Sequence, residues 1–242
     1  MYFRGCSGTP NRLARTYHCG DTGDLDYVMQ LLREREPATS FAAVGYSLGG
    51  NILLKWLGEK GQAAPLAAAV AVSVPFSPAL SADRLDRGFS RVYQGVLLRN
   101  LRHALDRKFQ ALDAPFDRTR LKDAANFWLF DHFVTAPLHG FASAADYYGR
   151  SGCRAYLRKI RVPTLILHSE DDPFMSVDAV PREDELSADV ILELSQEGGH
   201  VGYVGGTIPL FPEYWLERRI LNFLADKIGA PTRCPAPQDA VP

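Results

Sequence analysis

Phe41-Ala42-Ala43-Val44-Gly45-Tyr46-Ser47-Leu48-Gly49-Gly50-Asn51 runs from an apolar segment into a helix-forming one. Between them lies Gly45-Tyr46-Ser47-Leu48-Gly49, which fits the tight turn that presents a reactive serine between a buried strand and a helix. Phe41 to Gly45 is long enough for a strand buried on both faces of a parallel sheet, and Gly50 to Leu57 reads as a helix. Such a turn leaves little room beside the serine, so Gly45 and Gly49 are both expected to be needed without side chains. The gain is a hydroxyl exposed at the carboxyl end of a strand. It stands beside a helix N-terminus whose free N–H groups can hold a developing oxyanion. A glycine-rich connection with a serine N-cap shares the same letters, so the choice between the two readings falls to the rest of the chain.

Two downstream segments fit the same chemistry in the same chain order. Pro163-Thr-Leu-Ile-Leu-His-Ser-Glu-Asp-Asp-Pro173 is an apolar run ending in two carboxylates, the pattern of a strand delivering an acid to the edge of an open α/β sheet. Gly198-Gly199-His200-Val201-Gly202 follows the strand-like Val190 to Leu194 and sets a histidine on a glycine-lined loop. In the scheme these residues allow, His200 takes the Ser47 proton and a carboxylate fixes the imidazole tautomer. Asp172 is preferred as the acid because Pro-Phe follows it directly, and Asp171 stays open as the alternative. A plain Asp-Pro turn ending a strand would use the same letters. His200 has five competitors, His18, His103, His132, His139 and His168, of which His168 lies inside a predicted strand and His103 in a charged helical segment, while His132 and His139 fall in the middle insertion. None of these matches a loop that follows a strand.

Along its length the chain alternates helical and strand-like segments, which favours a mostly parallel sheet. Leu25, Val28, Met29 and Leu32 recur at helical spacing within a helix predicted from about Asp24 to Arg35, and Ala67 to Val74 reads as a strand ended by Pro75. From Ser77 to Tyr156 the pattern turns to aromatic-rich helical segments, including Phe89 to Leu112 and Ala142 to Tyr148. The expected organisation is a core of residues 1–76 and 157–230, a helical cap insertion over 77–156 and a disordered tail over 231–242. Most cap aromatics, among them Phe89, Tyr93, Phe127, Trp128, Phe130, Phe133, Tyr147 and Tyr148, are expected to pack a core, with some lining a substrate pocket. Trp215 to Ile228 reads as a closing helix.

Composition removes several function classes. With 242 residues, 46% of them hydrophobic, the chain can bury a sizeable core, and a net charge of -1 argues against an electrostatic nucleic-acid binder. Arg99, Arg102, Arg107 and Lys108 are interrupted by Asp106 and spread around a helix, as on a solvated face. Cys6, Cys19, Cys153 and Cys234 form no Cys-x-x-Cys pair and no zinc spacing, which fits reduced thiols in the cytoplasm. Gly199, Gly202 and Gly205 do not make Gly-x-Gly-x-x-Gly, so no dinucleotide cradle is expected; the sequence shows no metal ligand set either, and the chemistry reads as cofactor-free. No signal peptide is visible, and Ala63 to Phe76, broken by Pro65 and Pro75, is too short to span a bilayer. Membrane association is not required by the sequence.

Several motifs taken together carry a resemblance. They are Arg4-Gly5-Cys6-Ser7-Gly8 with Pro10-Asn11, Gly45 to Asn51, Gly88-Phe89-Ser90-Arg91-Val92-Tyr93-Gln94, His139-Gly140, Asp146-Tyr147-Tyr148, Asp171 to Met175 and Gly198 to Gly202. In this combination the chain resembles the YheT-like hydrolases (AB hydrolase 4 family) of the AB hydrolase superfamily, from about Met1 to Ile228. The resemblance implies an α/β-hydrolase fold, a Ser-Asp-His charge relay through Ser47, Asp172 or Asp171, and His200, and hydrolysis of carboxylic esters, lipid-like ones included. In that family a longer N-terminal part precedes the Arg-Gly-Cys-Ser-Gly motif and contributes strands and an oxyanion donor. The expectation here is therefore a chain with those strands missing, an uncovered strand at Phe41 to Tyr46, and one oxyanion donor, the backbone N–H of Leu48. A shortened, inactive chain serving as an interaction module is the alternative.

Overall fold

The computed structural model describes residues 1–206 and 212–228, so the predicted tail and Cys234 lie outside the described residues. In chain order the elements are α1 (Gly23–Arg35), β1 (Ala42–Tyr46), α2 (Leu48–Lys60), β2 (Ala68–Val72), α3 (Pro78–Leu85), α4 (Ser90–Lys108), α5 (Phe127–Phe130), α6 (Ala136–His139), α7 (Ala144–Ser151), β3 (Thr164–Ser169), β4 (Val190–Ser195), β5 (Val204–Gly205), β6 (Glu213–Tyr214) and α8 (Trp215–Ile228). Strands β1 to β4 form one parallel sheet in the order β1-β2-β3-β4, with Val44 beside Val70, Ala71 beside Ile166 and Ile166 beside Leu192.

The sheet is covered on two sides. Ala69, Ala71 and Ile166 face Met29 of α1 and Leu53, Leu54 and Leu57 of α2, while Ala68, Val70, Val72, Leu165 and Leu167 face Leu216, Ile220 and Phe223 of α8. Both sides of β2 are therefore buried, which is why its sequence is an unbroken apolar run with no alternation. β1 is an edge strand, and Val44 and Tyr46, which share a face with Val70 and Val72, are 38% and 46% exposed.

Between β2 and β3 the described residues contain helices and turns and no strand, in keeping with the aromatic-rich pattern. Two details differ from the sequence reading. Residues 127–139 are helical throughout but carry a π-helical turn at Asp131–Thr135 between α5 and α6, which no pattern in the sequence marks. The second is the two-residue ladder of β5 with β6, too short to leave a period-two signal. Among the aromatics of this segment Phe130, Tyr147 and Tyr148 are buried, whereas Phe89 and Tyr93 stand 73% and 40% exposed.

Asn51 ties the layers together. Fully buried on α2, its amide Nδ2 donates to the carbonyls of Cys19 (2.7 Å) and Ser151 (2.9 Å), and its Oδ1 accepts from Cys153 N (2.9 Å). The N-terminal segment is held by Arg4 Nε on Asp24 (2.8 Å) and by Lys108 Nζ on Asn11 Oδ1 (2.6 Å).

Candidate active site

β1 delivers Ser47 in a conformation that few non-glycine residues adopt, with φ 49° and ψ -119°. Ser47 N donates to Val72 O (2.8 Å), and its carbonyl accepts from Gly50 N (2.9 Å) and Asn51 N (3.2 Å). The backbone is thus pinned on the strand side and on the helix side. Leu48 opens α2, so its N–H is one of the helix donors that have no intrahelical acceptor.

The glycines around the turn differ in what they do. A Cβ at Gly45 would stand 2.6 Å from Gly49 O, so position 45 admits no side chain. At Gly49 the nearest atom to an added Cβ is Phe3 Cζ at 3.8 Å, an ordinary contact, which corrects the expectation that both flanking glycines are needed. The second crowded position is Gly50, where a Cβ would lie 2.7 Å from Val74 Cγ2. Gly45→Ala is expected to destabilise the fold by about 3 kcal/mol or more, and Gly49→Ala to change it by less than about 1 kcal/mol. Urea melts of the two variants check this, and equal shifts would contradict it.

The acid and the histidine arrive from the ends of β3 and β4. Asp172 is 2% exposed, and its Oδ1 accepts from Phe174 N at 2.8 Å. Its Oδ2 lies 2.8 Å from His200 Nδ1, and His200 Nε2 lies 2.9 Å from Ser47 Oγ. A carboxylate only accepts, so this arrangement puts the imidazole proton on Nδ1 and leaves Nε2 free to accept from the serine hydroxyl.

Asp171 has a different partner. Its Oδ1 accepts from Gly199 N at 2.8 Å, and that N–H holds its carboxyl below the ordinary value. The structure therefore brings Ser47, His200 and Asp172 together and turns Asp171 to the backbone of the histidine loop. The same loop is fastened by Ser169 Oγ donating to Gly199 O (2.7 Å), Ser73 Oγ accepting from Val201 N (3.2 Å) and Tyr203 N donating to Gly198 O (2.9 Å). Val201 and Tyr203 keep positive φ values of 61° and 46° under these restraints. The sequence marks this segment only as a glycine-lined loop and gives no sign of Ser73 or Ser169, since a single serine at a strand end carries no distinguishing pattern.

The remaining histidines lie elsewhere. His168 is buried inside β3 and His103 is exposed on α4, while His132 sits in the π-helical turn. His18 and His139 pair with ring centroids 4.5 Å apart, beside Phe141 and Tyr147. Burial pushes both imidazoles from 6.5 down to about 4, helped at His18 by Lys55 and Arg15 and at His139 by His18. Burial also raises Asp131, bonded to Thr135 (2.5 Å) and Tyr148 (2.6 Å), from 3.8 to about 6.

The signs of these shifts oppose each other. Between pH 6.5 and 4 the unfolded chain binds protons at His18 and His139 that the folded chain refuses, so stability falls as pH drops through that window. Asp131 works the other way, because between pH 6 and 3.8 the folded chain holds a proton that the unfolded chain has lost. His139→Gln is expected to flatten the acid-side loss of stability and Asp131→Asn to steepen it. Urea midpoints from about pH 7 to pH 4.5 check the order of the three slopes, and the reverse order would contradict it.

Among the described residues no group of three or more His, Cys, Asp or Glu side chains is placed to hold a metal, and no helix is long and apolar enough to cross a membrane. A cavity of about 680 Å³ lies on the helical segment, lined by Arg102, Asp106, Arg118, Thr119, Leu121 and Lys122, and includes none of Ser47, Asp172 and His200.

Comparison with known proteins adds an independent line. Residues 3–207 match the family model described as the alpha/beta hydrolase fold. The chain is 42% identical over 232 residues to "Putative esterase YheT" of Escherichia coli (strain K12), covering 95% of this chain and 68% of that protein. It is 30% identical over 208 residues to "Phospholipase ABHD3" of Mus musculus, covering 85% of this chain and 51% of that protein. It thus spans about two thirds of the first relative's length and half of the second's. Among solved structures, the Pyrococcus furiosus esterase Pf2001 superposes with a TM-score of 0.54 at 16% identity, covering 94% of this chain and 69% of that one, a likeness of fold.

Proposed function

Because the chain belongs to the α/β-hydrolase family and is similar to the YheT-like hydrolases, we propose that it is a serine hydrolase that cleaves carboxylic esters through an acyl-Ser47 intermediate. The observation that carries the reading is the unbroken run from Asp172 Oδ2 through His200 to Ser47 Oγ, with steps of 2.8 and 2.9 Å. As Ser47 Oγ attacks the ester carbonyl, its proton passes to His200 Nε2 and the carbonyl oxygen becomes an oxyanion beside the Leu48 N–H. His200 then returns the proton to the departing alkoxide oxygen, releasing the alcohol and leaving the acyl group on Ser47. In the second half His200 takes a proton from water, the hydroxide oxygen attacks the acyl carbonyl, and the proton goes back to Ser47 Oγ as the acid leaves. Asp172 keeps Nδ1–H aligned and stabilises the imidazolium in both halves. Asp171 acts through Gly199, by holding the loop that bears His200.

In this reading residues 77–156 form a cap over the site, and the substrate is a small ester, with lipid-like esters favoured by the phospholipase named among the relatives. We assign the protein to the cytoplasm, a compartment in which the unpaired thiols of Cys6, Cys19 and Cys153 persist. A fluorophosphonate probe tests the proposal: mass spectrometry of the labelled chain should place the adduct on Ser47. A folded chain that hydrolyses no p-nitrophenyl ester and takes no label there would end it.

A further inference from the structure

The segment that follows the acid is gripped residue by residue from the helical segment above it. Pro173 O accepts from Ser90 Oγ at 2.7 Å, and that hydroxyl in turn accepts from Arg84 Nη1 at 2.7 Å. The Phe174 ring meets Tyr93 of α4 edge-on, with centroids 5.1 Å apart. Met175 Sδ accepts from Ser81 Oγ of α3 at 3.0 Å. Ser81 and Ser90 are 7% and 2% exposed, so both hydroxyls act within the protein interior and not toward water. The same Phe174 ring lies flat on the His200 imidazole, with centroids 4.2 Å apart and an interplanar angle of 28°. Phe174 N also donates to Asp172 Oδ1, so one residue touches both the acid and the base.

Resting on the serine-hydrolase reading, we propose that α3 and α4 clamp the Asp172–Met175 segment, and that Ser90, Tyr93 and Phe174 are positioning residues that hold the His200 ring in the plane joining Asp172 and Ser47. The Nδ1 and Nε2 bonds fix the imidazole at two points and leave it free to rock about the line between them. A flat aromatic ring against one face removes that freedom at the cost of little side-chain entropy, since Phe174 is itself wedged by Tyr93. The exposed edge of the same aromatic row, Phe89 packed on Tyr93 at 5.8 Å, makes the clamp sensitive to how α4 sits. Displacing α4 would loosen His200 without touching either of its hydrogen bonds directly.

The test uses the full chain with p-nitrophenyl butyrate as substrate, and adds a reading that needs no turnover: the low-field proton resonance of an imidazole Nδ1–H bonded to a carboxylate. Phe174→Leu is expected to lower kcat about 10- to 100-fold with KM within about 3-fold of the original, and to broaden or abolish that resonance. Phe174→Tyr, which keeps the ring, should restore both. Ser90→Ala should show a smaller loss of the same kind, reversed in Ser90→Thr. The inference is overturned if Phe174→Leu leaves kcat and the resonance unchanged, or if its effect falls on KM alone, as for a ring that only touches substrate. A loss that tracks a lowered urea midpoint and persists in Phe174→Tyr overturns it as well. If the unaltered chain neither turns over ester nor takes a fluorophosphonate label, the hydrolase reading fails on its own. The resonance in Phe174→Leu and Phe174→Tyr then still decides whether Phe174 holds His200.

Discussion

Ser47→Ala is expected to lower kcat for ester hydrolysis by about 10⁴-fold or more, while the urea midpoint stays close to that of the unaltered chain. The loss is large because no neighbouring atom can replace Oγ as the nucleophile, so the covalent route closes and only binding and the Leu48 N–H remain to assist water. Stability should hold because alanine removes one oxygen and keeps the backbone in the same strained conformation, still pinned by Val72 O, Gly50 N and Asn51 N. His200→Ala should cost about as much, and the double variant little more than either single one, since the two side chains act as one unit. Steady-state kinetics on a p-nitrophenyl ester series measure this. A Ser47→Ala chain retaining more than about a tenth of the activity would show that the hydrolysis runs through another nucleophile.

The second large effect separates the two adjacent carboxylates. Asp172→Asn is expected to lower kcat by about 10⁴-fold, because the amide can offer an N–H to Nδ1 and so stabilise the tautomer in which Nε2 carries the proton and cannot take one from serine. Asp171→Asn should cost less than about 10-fold, since an asparagine Oδ1 can still accept from Gly199 N and keep the histidine loop in place. The two variants differ by one position in sequence and by about three orders of magnitude in expected rate. An exchange of these outcomes would move the acid to Asp171 and require the loop to rearrange.

Much of the site is written in local chain signals. The strand–turn–helix around Ser47, the apolar run that ends at the two aspartates and the glycine-lined loop of His200 are each visible because their cause lies within a few residues: a turn too tight for a Cβ, a strand buried on both faces, a loop needing positive φ. The ordering of helices and strands was legible for the same reason. Helix and strand ends moved by a few residues, as where α2 begins directly at Leu48, because the change of backbone conformation happens within Ser47 itself.

What the sequence by itself determined is the parallel α/β architecture and the short list of Ser47, Asp171, Asp172 and His200, because periodicity, turn sterics and residue chemistry act along the chain. Only the tertiary structure decided the rest. Ser47 and His200 are 153 residues apart, and which of two neighbouring carboxylates turns to the imidazole depends on where Phe174 N and Gly199 N come to lie. Ser73, Ser90, Ser169 and Phe174 likewise acquire partners through the packing of β2, α4 and the loops after β3 and β4. Those contacts are set by distances through space between segments remote in sequence, and no pattern along the chain encodes a distance of that kind.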